Sequence, residues 1–250
     1  MICSELYNKG EKGKMSDFNP KIKYNKKFYN NKFVRKVVIA ISMMTNLYDA
    51  ILDKKICGCS LVKYVPSLYR ETKGATGSQS TGYLILDKIF ENAKFTENDK
   101  FIDVGCGKAR VLAYLLNKKF PGELYGIELN SEVAEFARKW TVKYPNVFVS
   151  CGDAFEIDYN AYNILFLGRP FEPEFFMKYI AKLEQELLHP VTFYYWVDQQ
   201  SGNYLNGRPG WTLHKREWIF RFYGMYLVPW PQRYSIWTFT PNHDLNDSKV

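Results

Sequence analysis

Short apolar runs with the composition of β-strands alternate with helical runs from residue 100 onward. The strand-like runs are Lys100–Val104, Leu124–Glu128, Val147–Ser150, Tyr162–Leu167 and Val191–Val197. Helical periodicity covers Ala109–Asn117, Ser131–Tyr144 and Glu172–Leu188. Strands joined by helices pair in parallel through right-handed crossovers, and the helices then cover both faces of the sheet. The alternation therefore predicts an α/β domain with a doubly wound, mostly parallel sheet.

The end of the chain departs from this alternation. Arg221–Val228 and Tyr234–Thr240 are aromatic, β-prone runs, separated by Pro229-Trp230-Pro231-Gln232. Two such runs around a proline-rich turn are typical of an antiparallel hairpin. Together with the five earlier runs, this pattern predicts a seven-stranded sheet that ends in a hairpin.

Helices are also predicted ahead of the sheet. Apolar residues between Phe33 and Lys54 recur at helical spacing, at positions 34, 37, 38, 41, 44, 47, 50 and 51. We expect one amphipathic helix that packs on the domain; a membrane-surface or partner-binding helix is the alternative. The chain then divides into a basic, flexible segment (1–30), a helical cap (31–92), the main domain (93–241) and a tail (242–250).

The positive charge of the chain is concentrated at its start. The net charge is +8, and residues 1–55 hold 12 Lys and Arg against 5 Asp and Glu. Such a segment can contact phosphate, an acidic lipid surface or an acidic partner, although many charge blocks are only solvated. Nucleic acid is not favoured, because the excess charge lies outside the main domain and no nucleic-acid-binding module is visible.

The cysteine spacing and the hydropathy of the chain indicate the cellular compartment in which we expect the protein. The five cysteines do not show the paired spacing of a disulfide framework or a zinc site. The start lacks the pattern of a cleavable signal, and the apolar stretch Val37–Met44 is much shorter than the roughly 20 residues of a membrane span. We expect a soluble, cytoplasmic protein with no membrane span and no metal site.

A glycine turn follows the first predicted strand of the sheet. In Asp103-Val104-Gly105-Cys106-Gly107-Lys108, the glycines let the backbone approach a ligand at the carboxyl end of the strand. Dinucleotide-binding enzymes carry a similar turn, but Arg110 stands where their fingerprint needs a third glycine or alanine. The turn predicts a ligand site and weakens the case for a nicotinamide cofactor.

Three carboxylates surround this turn in the predicted fold. Glu128 ends the second strand, where it can accept hydrogen bonds from ribose hydroxyls. Asp103 would repel a pyrophosphate but suits an ammonium group. Asp153 follows the third strand and can accept a hydrogen bond from an adenine amino group, while Phe155 covers the ring. Any of these acids alone can be a cap or a turn residue, but their joint placement favours an adenosine ligand that carries an ammonium group.

From Gly77 to Pro241 the chain resembles the class I, Rossmann-like S-adenosylmethionine-dependent methyltransferases. The resemblance rests on the Asp-Val-Gly-Cys-Gly turn, Gly-Ile-Glu at 126–128, Gly-Asp-Ala-Phe at 152–155 and the closing hairpin. It implies S-adenosylmethionine as cofactor and a loop around Gln79 and Thr81 over its methionine end. The implied cofactor-binding residues are Gln79, Thr81, Asp103, Gly105, Cys106, Gly107, Glu128, Leu129, Asp153, Ala154 and Phe155.

The segment after the fourth strand departs from the family. Many N-methyltransferases have Asn or Asp before a Pro-aromatic pair at this place, whereas this chain has Arg169 before Pro170 and Phe171. These three residues are the candidates for the catalytic site, and no histidine is a convincing base. Arg169 can bind an acidic substrate, or it can close the site and leave a silent cofactor-binding or scaffold protein. We favour a methyltransferase whose acceptor is a protein side chain or a small molecule, with Trp196 and Asp198 as further pocket candidates.

Overall fold

A seven-stranded sheet forms the centre of the molecule. The computed structural model describes residues 31–219, 221–222, 225–226 and 232–241. The strands of this sheet are β1 (Lys100–Val104), β2 (Glu123–Glu128), β3 (Val147–Cys151), β4 (Ile164–Leu167), β5 (Val191–Trp196), β6 (Trp211–Trp218) and β9 (Arg233–Phe239). Their order is β3-β2-β1-β4-β5-β9-β6, with β1 to β5 parallel and both β9 pairings antiparallel.

Helices cover both faces of the sheet. They are α1 (Lys32–Cys57), α2 (Arg70–Lys73), α3 (Tyr83–Ile89), α4 (Arg110–Asn117), α5 (Ser131–Thr141) and α6 (Pro173–Glu186). Successive residues of a strand point to opposite faces, so Phe101 and Phe166 join one hydrophobic core cluster and Ile102 and Leu165 join the other. The predicted doubly wound sheet with helices on both faces and a terminal hairpin is confirmed.

The first strand of the hairpin is not the one that the sequence predicted. We expected Arg221–Val228 to pair with the last strand, but β6 does so, with Trp218 opposite Arg233. Arg221–Phe222 (β7) instead pairs with Met225–Tyr226 (β8) in a separate two-stranded ribbon. The prediction failed because β6 is a sheet edge and carries polar, partly exposed residues along most of its length, whereas the aromatic run has the stronger β propensity.

Helix α1 presents two apolar faces, of which only one packs on the domain. Val38 and Ile56 are buried, as predicted for a helix against the core. The side chains of Met44, Leu47 and Ile51, which we expected in the same packed stripe, are 71%, 63% and 59% exposed. That part of the prediction is wrong, because the packed face contains Asp49 and Asp53 and therefore lies on the opposite side of the helix from these residues.

A buried ion-pair cluster fixes α1 to the helix that follows the glycine turn. The guanidinium of Arg110 donates to Asp49 Oδ2 at 3.1 Å and to Asp53 Oδ2 at 2.7 Å, and all three side chains are at least nine-tenths buried. Tyr83 adds a backbone donor to Asp49 and its hydroxyl to Asp53, both at 3.0 Å. Residues far apart in sequence thus meet behind the turn.

The basic segment 1–30 and the tail 242–250 lie outside the described residues, and the division between cap and main domain at residue 93 stays a prediction. No helix within the described ranges combines the length and hydropathy that crossing a bilayer requires.

Candidate functional site

The glycine turn bends the chain sharply between β1 and α4. Gly105 and Gly107 have φ values of 73° and 56°, which favour glycine, and a Cβ on Gly105 would lie only 2.5 Å from Pro170 Cβ. The amides of Gly105 and Cys106 both donate to Ile127 O at 2.9 Å. The turn is therefore locked onto β2 and leaves no room for side chains at its glycines.

Glu128 joins the turn to the end of β2. Its Oε2 accepts from the Gly107 amide and its Oε1 from the Asn130 amide, each at 2.9 Å. Burial raises the pKa of this carboxyl, and the backbone hydrogen bonds partly oppose the rise. Each oxygen has a second lone pair, so the carboxylate remains able to accept from a ligand hydroxyl.

Asp103 is the least compensated carboxyl of the site. It is 2% exposed, and among the described residues no donor or cation bonds to its side chain. Burial first and the charge of Glu128 second raise its pKa well above the ordinary value. A buried, unpaired carboxylate is costly, so a cation that enters this cavity would be strongly favoured.

Asp153 follows β3 and caps a short 3₁₀ helix, Ala154–Glu156. Its Oδ1 accepts from the Phe155 amide at 3.0 Å, and Lys73 Nζ lies 2.9 Å from its Oδ2. Burial would raise the pKa of this carboxyl, but the bonds from Lys73 and Phe155 outweigh it and the pKa is lowered. Asp153 is thus ionised and already occupied by an exposed lysine.

The glycine- and hydroxyl-rich loop lies over the turn, between α2 and α3. The Thr76 amide donates to Pro170 O at 2.9 Å, and Thr76 Oγ1 donates to Arg169 O at 2.7 Å. Farther along, the Ser78 amide donates to Val65 O at 2.8 Å, and a Cβ on Gly107 would overlap Ser78 Oγ. The loop is therefore tied to the segment after β4 on one side and to the cap on the other.

These elements enclose a cavity of about 840 Å³, including its open mouth, at the carboxyl ends of β1, β2 and β4. Predicted cofactor-binding residues that line it are Gln79, Thr81, Asp103, Gly105, Cys106, Gly107, Glu128, Leu129, Asp153 and Ala154. Pro170 and Phe171 from the catalytic candidates line it as well. Within the described residues, no group of three or more His, Cys, Asp or Glu side chains could hold a metal ion.

Two predicted site residues do not line the cavity. Phe155 packs against Phe171 and Tyr179, with ring centroids 5.6 and 6.1 Å apart. Arg169 has a φ of 56°, contributes its carbonyl to the loop, and forms no ion pair with the described carboxylates. In this structure Arg169 therefore does not close the site with a salt bridge.

The other expected pocket residues also lie elsewhere. Asp198 is fully buried and binds Arg216 Nε at 3.1 Å and the Arg233 guanidinium, which joins the terminal strands to the segment after β5. Trp196 is 4% exposed and belongs to the core. Both residues stabilise the fold rather than form the cavity.

Several residues that line the cavity were not predicted from the sequence. Lys73 and Ser78 reach it from the cap, and Lys108 and Arg110 reach it from the start of α4. The spacing of Asp49 and Asp53, one helical turn apart among the apolar residues of α1, was the available signal for a buried basic partner. No comparable pattern marked Lys73.

Comparisons with known proteins give one family match and several solved structures of similar fold. Residues 102–164 match the family described as "Methyltransferase domain". A mutant of MtNAS solved with S-adenosylmethionine is 14% identical, with a TM-score of 0.50, covering 83% of this chain and 76% of that one. An RNA methyltransferase from Salinibacter ruber with S-adenosyl-L-homocysteine is 20% identical, with a TM-score of 0.48 and coverage of 64% and 94%. A SAM-dependent methyltransferase from Aquifex aeolicus is 16% identical, with a TM-score of 0.46 and coverage of 62% and 89%.

Proposed function

We propose that the chain is a class I, S-adenosylmethionine-dependent methyltransferase that methylates a small molecule or a protein side chain; its sheet topology and the family match over residues 102–164 support this proposal. The observation that carries the proposal is the cavity at the strand ends, in which Asp103 is buried and has no partner among the described residues. The donor of the methyl group carries an ammonium, two ribose hydroxyls and an adenine amino group. Asp103, Glu128 and Asp153 supply one carboxylate for each.

The remaining lining residues complete this assignment. Gln79 and Thr81 lie in the loop that would cover the methionine end, and Leu129 and Ala154 line the part of the cavity where the adenine would lie. The turn residues Gly105, Cys106 and Gly107 permit close approach of the backbone. When bound, the cofactor supplies an activated methyl group on a sulfonium, so the protein's part is mainly to orient the reactants and exclude water.

Pro170 and Phe171 form the wall of the cavity next to the loop, where an acceptor would lie. The loop is bonded to this wall through Thr76, so it can shield the reacting atoms from water. Arg169 adjoins the wall and has no ion pair with the described residues, which suits an acceptor with an acidic group.

A nucleic-acid acceptor is disfavoured by the cations of the cavity. Each of them already has a protein partner: Lys73 binds Asp153, Lys108 binds the Lys63 carbonyl, and Arg110 binds Asp49 and Asp53. Phosphate contacts from Lys and Arg dominate nucleic-acid affinity, whereas the cations that line this cavity are paired within the protein. A cytoplasmic location stays part of the proposal; Cys57, Cys59, Cys106 and Cys151 are free thiols, which agrees with a reducing compartment.

The test has two stages. Calorimetric titration with S-adenosylmethionine, S-adenosylhomocysteine and NAD should show binding of the first two only. The protein is then incubated with methyl-tritiated cofactor and a cell extract. After the reaction, the mixture is separated by size, and portions of it are treated with nuclease or with protease. Label that survives nuclease supports the proposed acceptor classes, and label that nuclease releases contradicts them.

A silent cofactor-binding or scaffold protein is the second candidate. It is favoured by Arg169, which replaces the usual amide or acid and whose carbonyl holds the loop. This candidate predicts binding of S-adenosylmethionine without transfer to any acceptor in the extract. Robust labelling of an acceptor would reject it.

A further inference from the structure

Helix α1 carries a continuous apolar stripe that faces away from the protein. Its large members are Phe33, Val37, Met44, Leu47, Tyr48 and Ile51, which are 73%, 40%, 71%, 63%, 42% and 59% exposed. Ala40 lies between them and is also exposed. At about 100° per residue, all seven positions fall within roughly 60° of one line along the helix. The stripe is about 27 Å long at 1.5 Å per residue, and no polar residue interrupts it.

The charges on α1 are arranged around this stripe. The only carboxylates in the sequence of α1 are Asp49 and Asp53, and both are buried against Arg110. Lys32 and Lys36 are exposed near one end, and Lys54 and Lys55 near the other. The outward surface of the helix is therefore apolar along its length and cationic at both ends. The preceding 30 residues add seven Lys against three acidic residues.

We propose that α1 is a membrane-surface helix that binds anionic lipid through this stripe and its flanking lysines. Helices that lie in the membrane interface combine an apolar face with Lys and Arg, and their affinity depends on acidic headgroups. In an isolated interfacial helix the side opposite the apolar face is polar and contacts water. In α1 the side opposite the stripe packs on the domain instead. The buried contacts of Asp49 and Asp53 hold the helix along the protein surface, with the stripe outward.

A second copy of the chain fits this surface less well. In a parallel helix pair each cationic end would meet the same end of its partner, and in an antiparallel pair it would meet the other cationic end. Like charges come together in both arrangements, which costs free energy. An anionic lipid surface compensates both ends at once. An exposed apolar surface of this size is also unusual for a protein with no binding partner.

The experiment is vesicle flotation of the full chain. Vesicles of phosphatidylcholine with about one quarter phosphatidylserine should carry the protein upward, while pure phosphatidylcholine should carry at least about tenfold less. Added salt should weaken the binding, because the lysines contribute through screened charge. Met44→Gln/Leu47→Gln should reduce binding by at least about tenfold. Lys54→Glu/Lys55→Glu should reduce it on the anionic vesicles alone.

Matched controls separate the stripe from general hydrophobicity and from misfolding. Val142→Gln/Leu188→Gln removes two side chains that are 81% and 71% exposed outside α1, and its binding should equal that of the unmodified chain. Circular dichroism melting checks that each variant is folded. The proposal is overturned if folded protein does not float with anionic vesicles, or if the Met44 and Leu47 variant floats equally well. It is also overturned if sedimentation shows that the unmodified chain is a dimer and the Met44 and Leu47 variant is a monomer, while neither of them binds vesicles.

Discussion

Two pairs of buried carboxylates lie on either side of the glycine turn, and the protein treats them differently. Asp49 and Asp53, behind the turn, share the guanidinium of Arg110 and further donors from Tyr83. Asp103 and Glu128, in front of it, face the cavity, and no Lys or Arg among the described residues forms an ion pair with either. Arg110 compensates the first pair, whereas burial first and the charge of Glu128 second raise the pKa of Asp103 well above its ordinary value.

This difference separates a structural charge cluster from a binding site. A buried ion pair that is complete within the protein stabilises its partners' positions and needs no ligand. A buried carboxylate without a cationic partner reduces the stability of the protein until a ligand supplies the missing positive charge. Asp103 and Glu128 are therefore the groups through which a cationic cofactor would stabilise the protein.

The largest effect should come from removing the cation of the structural pair. Arg110→Met leaves two buried carboxylates unpaired and should lower the free energy of unfolding by about 3–5 kcal/mol. Asp103→Asn removes an unpaired charge and should change it by less than about 1 kcal/mol, or raise it. Urea denaturation measures both.

Arg138→Met is the control for this comparison, because Arg138 pairs with Glu135 at an exposed surface. Its loss should cost less than about 1 kcal/mol. If Arg110→Met were no more destabilising than Arg138→Met, the two carboxylate pairs would not differ as described.

The two pairs were not equally visible in the sequence. Asp103 and Glu128 were predicted as site residues because local patterns place them at strand ends around the glycine turn. Arg110 was noticed only as the absence of a third glycine. Its partners lie 57 and 61 residues away, and local periodicity carries no information on such a contact. The same limit explains why the exposed stripe of α1 was predicted to be buried.

Asp103 and Glu128 should control the affinity for the proposed cofactor. Asp103→Asn and Glu128→Gln should each weaken S-adenosylmethionine binding by about 1–3 kcal/mol, since each removes a charge-assisted hydrogen bond and preserves shape. Calorimetry measures the affinity. Asp158→Asn is the control, because Asp158 caps another 3₁₀ turn, where asparagine is an equally good cap. Normal binding by both site variants would show that the cofactor site is misplaced.

Affinity should also depend on pH, with a sign set by Asp103. Its raised pKa means that the free protein holds a proton on this carboxyl to higher pH than usual. An ammonium ligand favours the ionised form, so binding releases a proton and affinity rises with pH up to the pKa of the free protein. The slope cannot exceed about tenfold per pH unit for one proton.

Calorimetry in two buffers of different ionisation enthalpy, at the same pH, counts the released proton. Asp103→Asn should abolish most of the difference between the buffers and flatten the pH dependence. An affinity of the unmodified protein that stays constant from about pH 5 to about pH 8 would contradict the role given to Asp103.

The smallest effect concerns Asp153, the third carboxylate of the cavity, which resembles the structural pair in having a basic partner. Its partner Lys73 is half-exposed and bonded to one oxygen only, so a ligand amino group can compete for that oxygen. Lys73→Ala should leave the affinity for S-adenosylmethionine unchanged or tighten it by no more than about threefold, because exposed ion pairs contribute little.

Lys178→Ala is the control for this variant, because it breaks the exposed pair with Glu174 on α6 and should have no effect on that affinity. A tenfold or greater loss in Lys73→Ala alone would mean that Lys73 itself contacts the cofactor, and Asp153 would then belong with Asp49 and Asp53 as a carboxylate satisfied by the protein.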